Sequence, residues 1–347
     1  MRLNFWLGIL VSAAAVAAIL FQIDFRDAAD AFRTAHYGWV LPAAITSLVL
    51  IFIRAWRWRY LLRDDLQASF HGRLSATFIG FMANGLLPAR IGEFVRAWCL
   101  GHREGKSKSA IFASIIIERL LDGSWILIFL VIALWVVPFP DPSPGGGGPE
   151  GFFLGGFSLR SGLRWAGILS LAFYAGIILL LVGLRLSHGK TLWVLDRLLS
   201  PVSHRFAGKA RDTLDGFIGG IYVPDSWSRG TMTIFYTCLL WVIGLGTNYF
   251  TLRAFGLDLP WHAPVFLMVL QALGVMIPSS PGFVGTFHAA AVLGARFYGV
   301  PDGVALSFAV VVHIAGFLPI IVVGLGFLWR ENLSLGQLVS TRQESAT

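Results

Sequence analysis

Residues 259–295 form an uninterrupted run of 37 positions without Asp, Glu, Lys or Arg. Similar runs recur along the chain of 347 residues, of which 56% are hydrophobic and 13% charged. Soluble domains carry about 25% charged residues, and no soluble fold of this size can bury so much apolar surface. The sequence therefore excludes a cytosolic enzyme, a nucleic-acid-binding module and a disordered regulator. It predicts an all-α polytopic membrane protein.

Six apolar segments are long enough to cross a bilayer, which takes about 20 helical residues. They are residues 3–23, 37–62, 109–137, 165–184, 230–252 and 303–329. The first segment has a competing interpretation as a signal peptide, because residues 13–18 are rich in alanine, but its length favours an uncleaved span. Two further segments, 74–89 and 259–295, are broken by Gly and Pro and are predicted to be re-entrant hairpins.

The basic residues predict an orientation. With the N-terminus in the cytoplasm and both hairpins returning to the side they enter, 20 of the 27 Lys and Arg residues are cytoplasmic, as the positive-inside rule requires. We therefore expect a multi-pass protein of the cell (inner) membrane with both termini in the cytoplasm. Residues 1–330 are predicted to form a single transmembrane domain, followed by a short polar tail, 331–347. The basic stretch 187–229 predicts an interfacial helix on the membrane.

The order of span, broken segment and span occurs twice, in residues 37–137 and 230–329. The two copies enter their hairpins from opposite sides, so they would be inverted repeats, and paired broken segments are a pointer to a transporter's binding site. This pattern rests on hydropathy alone. The alternative is two unrelated kinked helices.

The first broken segment is followed by charged residues. Asn84, Gly85 and Pro88 free backbone groups from regular helix, which at membrane depth requires burial in protein or a water-filled cavity. Gly92 is expected to belong to the same re-entrant backbone. Arg90, Glu93 and Arg96 follow at a spacing of three residues, so that Glu93 could brace either arginine. Such arginines suit an oxyanionic headgroup, because guanidinium binds phosphate and carboxylate through two hydrogen bonds. The alternative is an interfacial loop that the arginines merely anchor.

The segment 109–137 carries three charged residues within one helical turn. Glu118 and Asp122 share a helix face, and Arg119 reaches Asp122. Each unpaired charge near the bilayer centre costs about 3 kcal/mol, so these groups must pair or face water. They line a polar path for lipid or ions, or they form a self-neutralising cluster that holds the helix to Arg54 or Arg57.

The second broken segment contains Pro281, Gly282 and Gly285. Because proline favours the first turn of a helix, a half-helix is expected to start near Pro281-Gly282 and to present its N-terminal N–H groups to an anion. The alternative is a simple proline kink. His288 and His313 lie on apolar stretches and are secondary candidates for this site.

No enzyme motif is present, and the histidines lack metal-ligand spacing. We therefore expect a protein that is not an enzyme, with no cofactor, no metal and no nucleic-acid partner.

Three motifs together resemble the transmembrane region of the lysylphosphatidylglycerol synthetases, a family also called flippase-like or UPF0104. They are Asn84…Pro88-x-Arg90-x-Gly92-Glu93-x-x-Arg96, Glu118-Arg119-x-x-Asp122 and Pro281-Gly282-x-x-Gly285. The resemblance implies a membrane domain that moves aminoacylated phosphatidylglycerol between leaflets. Two departures limit what carries over. We expect no soluble synthetase domain, and His288 stands where the family commonly has an acidic residue.

We accordingly expect a flippase-like transporter that binds an anionic or aminoacylated phospholipid, or another lipid-linked headgroup, between the two hairpins. The expected headgroup-binding residues are Arg90, Arg96, Arg119, Arg54 and Arg57. The expected positioning residues are Glu93, Glu118, Asp122 and Asn84. The alternatives are a membrane-embedded enzyme, or a non-catalytic partner of an enzyme, in the biosynthesis of lipids, lipid-linked glycans or hopanoids.

Overall fold

The computed structural model describes residues 13, 25–87, 90–139, 159–200, 204–222, 226–277, 280–334 and 336–338. Helices dominate, and no strand occurs in these ranges. In chain order the helices are α1 (Phe25–Thr34), α2 (Val40–Leu61), α3 (Phe70–Leu86), α4 (Gly92–Glu104), α5 (Lys108–Val136), α6 (Leu159–Leu186), α7 (His188–Leu199), α8 (His204–Gly220), α9 (Trp227–Ala254), α10 (Ala263–Met276), α11 (Thr286–Phe297) and α12 (Asp302–Arg330). The predicted all-α polytopic class is confirmed.

Four helical segments are long and apolar enough to cross a membrane. They are Tyr37–Leu61, Leu159–Leu186, Trp227–Ala254 and Asp302–Arg330, and each matches a predicted span. Helix α5 corresponds to a fifth predicted span. Its 29 residues extend about 43 Å at 1.5 Å per residue, and it carries the three charges noted above. The predicted first span, 3–23, lies outside the described residues apart from residue 13.

The basic stretch 187–229 contains two helices, α7 and α8, where one interfacial helix was predicted. Helix α7 ends at Leu199, and α8 begins at His204. Both are amphipathic: α7 buries Leu192 and leaves Trp193 and Leu198 exposed. A location on the membrane surface remains a prediction.

The chain divides into two compact units. The charged unit comprises Ile51–Gly123, Phe173–Leu240 and Ile320–Thr347. The histidine unit comprises Met1–Leu50, Ser124–Ala172 and Trp241–Pro319. Each unit contains one of the two breaks. The predicted segment 259–295 contains nearly all of the two helices of its pair, whereas the predicted segment 74–89 contains only part of α3 and ends before α4, because charged residues from Arg90 onward end the apolar run. The inverted repeat stays a prediction.

In the charged unit, α3 and α4 form the charged hairpin. The two arms meet at their outer ends, where the Ser69 hydroxyl, at the start of α3, donates to Glu104 at the end of α4 (2.9 Å). They also meet near the break, because a Cβ added to Gly92 would lie 2.1 Å from the Gly80 carbonyl oxygen. Only glycine permits this approach. The second arm therefore returns alongside the first, as the prediction of a hairpin requires.

The core of the charged unit is built on this hairpin. Buried Ile79, Met82 and Leu100 pack with Trp58 of α2 and Ile111 of α5. The chain beyond α12 joins the same core, since Leu338 is fully buried there. Glu331 accepts hydrogen bonds from Ser75 on one arm of the charged hairpin and from Arg103 on the other.

In the histidine unit, α10 and α11 form the histidine hairpin. A Cβ added to Gly274 would lie 2.7 Å from the Thr286 carbonyl oxygen, so glycine again permits the close approach. Phe266 of α10 is fully buried, and so are Ala291 of α11 and Phe308 of α12. This hairpin packs in an apolar core, and the last turn of α11 pairs Arg296 with Asp302 (2.6 Å).

Candidate functional site

The break of the charged hairpin is organised by Asn84. Its side-chain oxygen accepts from the Gly92 N–H (2.8 Å), and its amide nitrogen donates to both oxygens of Glu93 (3.2 and 3.3 Å). One side chain thus ties the end of α3 to the start of α4. Arg90, between them, has a φ of +50°. Pro88, a predicted part of this break, lies outside the described residues.

Six charged side chains from three helices meet behind the break and form the arginine cluster. Its members are Arg54 and Arg57 of α2, Arg96 of α4, and Glu118, Arg119 and Asp122 of α5. The spacing explains the meeting, because Arg54 and Arg57 lie one turn apart on α2 and Glu118 and Asp122 lie one turn apart on α5. Facing turns of two helices therefore present opposite charges.

Glu118 is the centre of the cluster. Its Oε1 accepts from Arg54 (2.8 Å), Arg96 (2.8 Å) and Arg119 (2.7 Å). A second Arg96 nitrogen donates to Oε2 at 2.9 Å, so this pair is bidentate. The Glu118 side chain is 0% exposed. Three guanidinium groups donate hydrogen bonds to this buried carboxylate, and Nη2 of Arg57 lies 3.5 Å from Oε1 as a fourth.

Asp122 accepts hydrogen bonds from both arginines of α2. Its Oδ1 accepts from Arg57 at 2.9 Å and its Oδ2 from Arg54 at 2.5 Å. Arg119 approaches Oδ2 at 3.5 Å, as the i, i+3 spacing predicted. Arg57 also donates to the hydroxyl of Thr237 on α9 (3.0 Å).

The arginine cluster is positively charged overall. Four guanidinium groups face two carboxylates, which leaves two positive charges in excess. Several guanidinium nitrogens are buried and donate no hydrogen bond: Nε of Arg57, Arg96 and Arg119, and Nη2 of Arg57. Unsatisfied buried donors are costly. Together the excess charge and the unused N–H groups suit an anionic ligand.

Exposure differs sharply within the arginine cluster. The side chains of Arg57, Arg96 and Glu118 are 0–2% exposed, whereas that of Arg119 is 32% exposed. Arg119 is therefore the member that an outside molecule can reach. The Phe81 ring lies beneath this edge, with the guanidinium carbons of Arg54 and Arg119 at 5.1 and 5.6 Å from its centroid.

Of the two arginines that Glu93 was predicted to brace, Arg90 or Arg96, Arg96 is not its partner. Arg96 turns instead to Glu118, and its guanidinium stacks on the Trp58 ring at 3.8 Å. The i, i+3 rule describes neighbours on one isolated helix, but a buried carboxylate on another helix competes more strongly. Glu93 interacts electrostatically with Arg90 and Arg119.

The break of the histidine hairpin also differs from prediction. Pro281 opens a single 3-10 turn, Pro281–Phe283, and α11 begins later, at Thr286. Gly282 (φ +70°) and Gly285 (φ +94°) adopt positive φ, so helix cannot propagate from Pro281 through them. The expected half-helix exists, but its N-terminal N–H groups lie after Gly285.

His288 and His313, which were predicted as two separate secondary candidates, lie in contact. Nε2 of His288 and Nδ1 of His313 are 3.1 Å apart, joining α11 to α12. The other ring nitrogen of His288 accepts from the Gly285 N–H (3.4 Å), which makes Nε2 the donor in the neutral pair. His313 also has a hydrogen bond to the Gly282 backbone. The pair therefore connects both glycines of the break.

Sequence reasoning missed several residues beside the arginine cluster: Trp58, Phe81, Thr237 and Tyr174. Tyr174 of α6 acts electrostatically with Asp122 and Arg119. It reaches α5 because residue 123 is glycine, where an added Cβ would lie 1.9 Å from the Tyr174 hydroxyl. Gly123 directly after Asp122 was the available signal, since a glycine inside a helix often marks a close approach.

Comparison with known proteins identifies relatives over nearly the whole chain. The family model described as lysylphosphatidylglycerol synthase TM region matches residues 5–324. A UPF0104 membrane protein of Methanothermobacter thermautotrophicus is 24% identical, over 91% of this chain and 92% of that protein. The glycosyltransferase AglD of Haloferax volcanii is 25% identical, over 99% of this chain but 57% of that protein. No solved structure matches the chain.

The family model covers all three motifs, so the resemblance inferred from the charged residues and from the Pro-Gly break is confirmed. The chain belongs to the lysylphosphatidylglycerol synthase TM region family.

Proposed function

We propose that the chain is a lipid transporter that binds an anionic headgroup at the edge of the arginine cluster and moves the lipid between leaflets. The observation that carries this proposal is the excess of two positive charges in the arginine cluster, whose member Arg119 is 32% exposed. A purely structural cluster would be expected to balance its charges, because unpaired charge is expensive at membrane depth. An arriving phosphate or carboxylate would offset part or all of the excess.

The structure suggests a division of labour among the proposed residues. Arg119, one-third exposed, is the contact residue, with Arg90 at the break as a second. The buried Arg54, Arg57 and Arg96 supply positive potential rather than direct contact. The two carboxylates hold the guanidinium groups in place, and Asn84 with Glu93 fixes the break that positions Arg90.

The cellular setting is part of the proposal. The distribution of basic residues supports insertion in the cell (inner) membrane with both termini in the cytoplasm. Membrane lipids are the proposed partners, and an enzyme of lipid biosynthesis would supply or consume the transported lipid.

A second candidate function follows from the similarity to AglD. A protein named a glycosyltransferase that matches 99% of this chain favours a role, as enzyme or partner, in the biosynthesis of lipid-linked glycans. The structure gives limited support to acid–base chemistry here, because both carboxylates of the arginine cluster are committed to guanidinium groups. A covalently altered lipid after incubation with the purified protein would favour this candidate.

The test of transport is leaflet exchange in proteoliposomes of neutral lipid. Labelled phosphatidylglycerol, a zwitterionic phospholipid and a polyprenyl phosphate are compared as trace lipids, with Arg119→Gln and Arg90→Ala as site variants. We expect exchange that depends on an anionic headgroup and falls about tenfold or more in Arg119→Gln, the loss of one charge-assisted contact of 1.4 kcal/mol or more.

The matched control is Arg33→Gln, which removes an exposed arginine of the histidine unit that is paired only loosely with Asp30 (3.6 Å). This variant should exchange lipid at the rate of the unaltered protein. If the lipid is exchanged without chemical change and neither Arg119→Gln nor Arg90→Ala lowers the exchange rate, the proposed site is refuted. No exchange of any lipid by folded protein would refute the transport proposal.

A further inference from the structure

The charge balance of the arginine cluster allows the headgroup to be specified further. We infer that the site prefers a terminal phosphate, as in a phosphomonoester or diphosphate, over the phosphodiester of ordinary glycerophospholipids. This inference rests on the proposed function and narrows its substrate class.

The first step is to count charges. Arginine stays protonated in proteins, so Arg54, Arg57, Arg96 and Arg119 contribute four positive charges. Glu118 and Asp122 accept every hydrogen bond assigned to them from guanidinium groups, which is the behaviour of ionised carboxylates. The balance is therefore +2.

The second step is to ask whether neighbouring groups change this balance. Of the remaining described residues, Glu93 acts on Arg119 and Tyr174 adjoins Asp122. Glu93 is matched by Arg90, on which it also acts, and Tyr174 is neutral at pH 7. Including these groups leaves the excess at two.

The third step is to match the ligand. A phosphodiester carries one negative charge and presents two non-bridging oxygens. A phosphomonoester carries about −1.5 to −2 at pH 7 and presents three strong acceptor oxygens. A dianion therefore neutralises the arginine cluster, whereas a monoanion leaves one buried charge without a counterion. The Arg119 side chain, 32% exposed, brings a guanidinium group to the edge of the cluster, where it can meet the additional oxygen.

The experiment is a binding assay with the purified full chain in a neutral detergent, at pH 7.5. The probes are phosphatidic acid, a polyprenyl phosphate, phosphatidylglycerol and inorganic phosphate. We expect the two lipid monoesters to bind at least tenfold more tightly than phosphatidylglycerol. Equal or tighter binding of phosphatidylglycerol would overturn the inference but leave the proposed function standing. Inorganic phosphate that competes as strongly as phosphatidic acid would show a free-phosphate site and overturn both.

Charge variants sharpen the test. Arg119→Gln lowers the excess to one, so the preference for a monoester over phosphatidylglycerol should shrink to within about threefold, while Arg119→Lys should keep most of it. Because Arg119 is the most exposed member, neither change should unfold the protein. Arg33→Gln is the matched control and should leave both affinities unchanged. An equal loss of affinity for monoester and diester in Arg119→Gln would overturn the inference.

A change of pH gives an independent readout. The second phosphate pKa is about 6, so at pH 5 a phosphomonoester becomes a monoanion like the diester. The arginines stay charged, and each cluster carboxylate is held by guanidinium groups. About a tenth of the monoester remains a dianion at pH 5, so a tenfold advantage at pH 7.5 should fall to about twofold at pH 5, with phosphatidylglycerol binding unchanged. An advantage that is as large at pH 5 as at pH 7.5 would overturn the inference.

Discussion

The charged hairpin and the histidine hairpin share one plan and differ in chemistry. In each, a helix ends at a break, a second helix returns beside it, and a glycine, Gly92 or Gly274, permits the approach. Six ionised groups lie beside the break of the charged hairpin. Two imidazoles, one on α11 and one on α12, and two positive-φ glycines lie at the break of the histidine hairpin. The same backbone device therefore serves two sites of different electrostatic character.

The comparison of the arginine cluster with the imidazole pair indicates which hairpin can accommodate a charged ligand. The arginine cluster has a charge excess that an anion would neutralise. The imidazole pair satisfies itself, since the Gly285 N–H, His288 and His313 form one consistent hydrogen-bond chain. The buried Thr286 hydroxyl beside it makes no hydrogen bond. The charged hairpin is thus the better candidate for headgroup binding.

The largest expected effect is the loss of the central carboxylate. Glu118→Gln keeps the shape of the side chain but leaves three guanidinium groups without their shared counterion. Breaking a buried ion pair in this way costs about 3–5 kcal/mol, measured as the free energy of unfolding in mixed micelles. Glu104→Gln, at the exposed end of the same hairpin, is the control and should cost less than about 1 kcal/mol. Similar losses in the two variants would contradict a central role for Glu118.

The next effect compares the two glycine contacts. Gly92→Ala brings a Cβ within 2.1 Å of a backbone oxygen that cannot rotate away, and Gly274→Ala reaches 2.7 Å from another. Overpacking costs about 1–3 kcal/mol, so we expect Gly92→Ala at or above the upper end of this range and Gly274→Ala below it. Thermal unfolding of both variants measures the order. A larger loss of stability in Gly274→Ala than in Gly92→Ala would show that the close approach in the histidine hairpin is the more rigid of the two.

A smaller effect separates the two breaks. Gly282→Ala places a side chain at φ +70°, which costs about 1–2 kcal/mol. Gly85→Ala, in the charged hairpin, meets only the flexible end of Ile321 at 3.1 Å and should cost less than about 0.5 kcal/mol. Unfolding free energies of the two variants provide the comparison. An equal cost would mean that positive φ is not what defines the second break.

The smallest effect concerns the imidazole pair. A double-mutant cycle with His288→Asn and His313→Asn should give a coupling energy of about 0.5–1.5 kcal/mol, the net value of one buried hydrogen bond. Purely additive losses would show that the two rings do not act together. Neither substitution should alter the preference for anionic lipid, because both residues belong to the histidine unit.

The sequence predicted the long helices and both breaks, because apolar runs interrupted by Gly and Pro have few other interpretations. It also anticipated that Glu118 and Asp122 would meet Arg54 or Arg57, since unpaired charges on membrane helices need partners. It failed where the partner lies farther along the chain: nearby Glu93 was the only partner considered for Arg96, which binds Glu118, and His288 and His313 were treated singly. Which helix faces touch depends on packing that no local spacing encodes.

The chain beyond α12 has a consequence for handling the protein. Glu331 holds one residue from each arm of the charged hairpin, and Leu338 lies in the same core. These residues hold the two arms together near the ends that lie farthest from the break. A tag, antibody or natural partner that binds the chain from residue 331 onward would compete with these contacts. It would thereby loosen the arms that carry Arg96 and Asn84 without touching either residue.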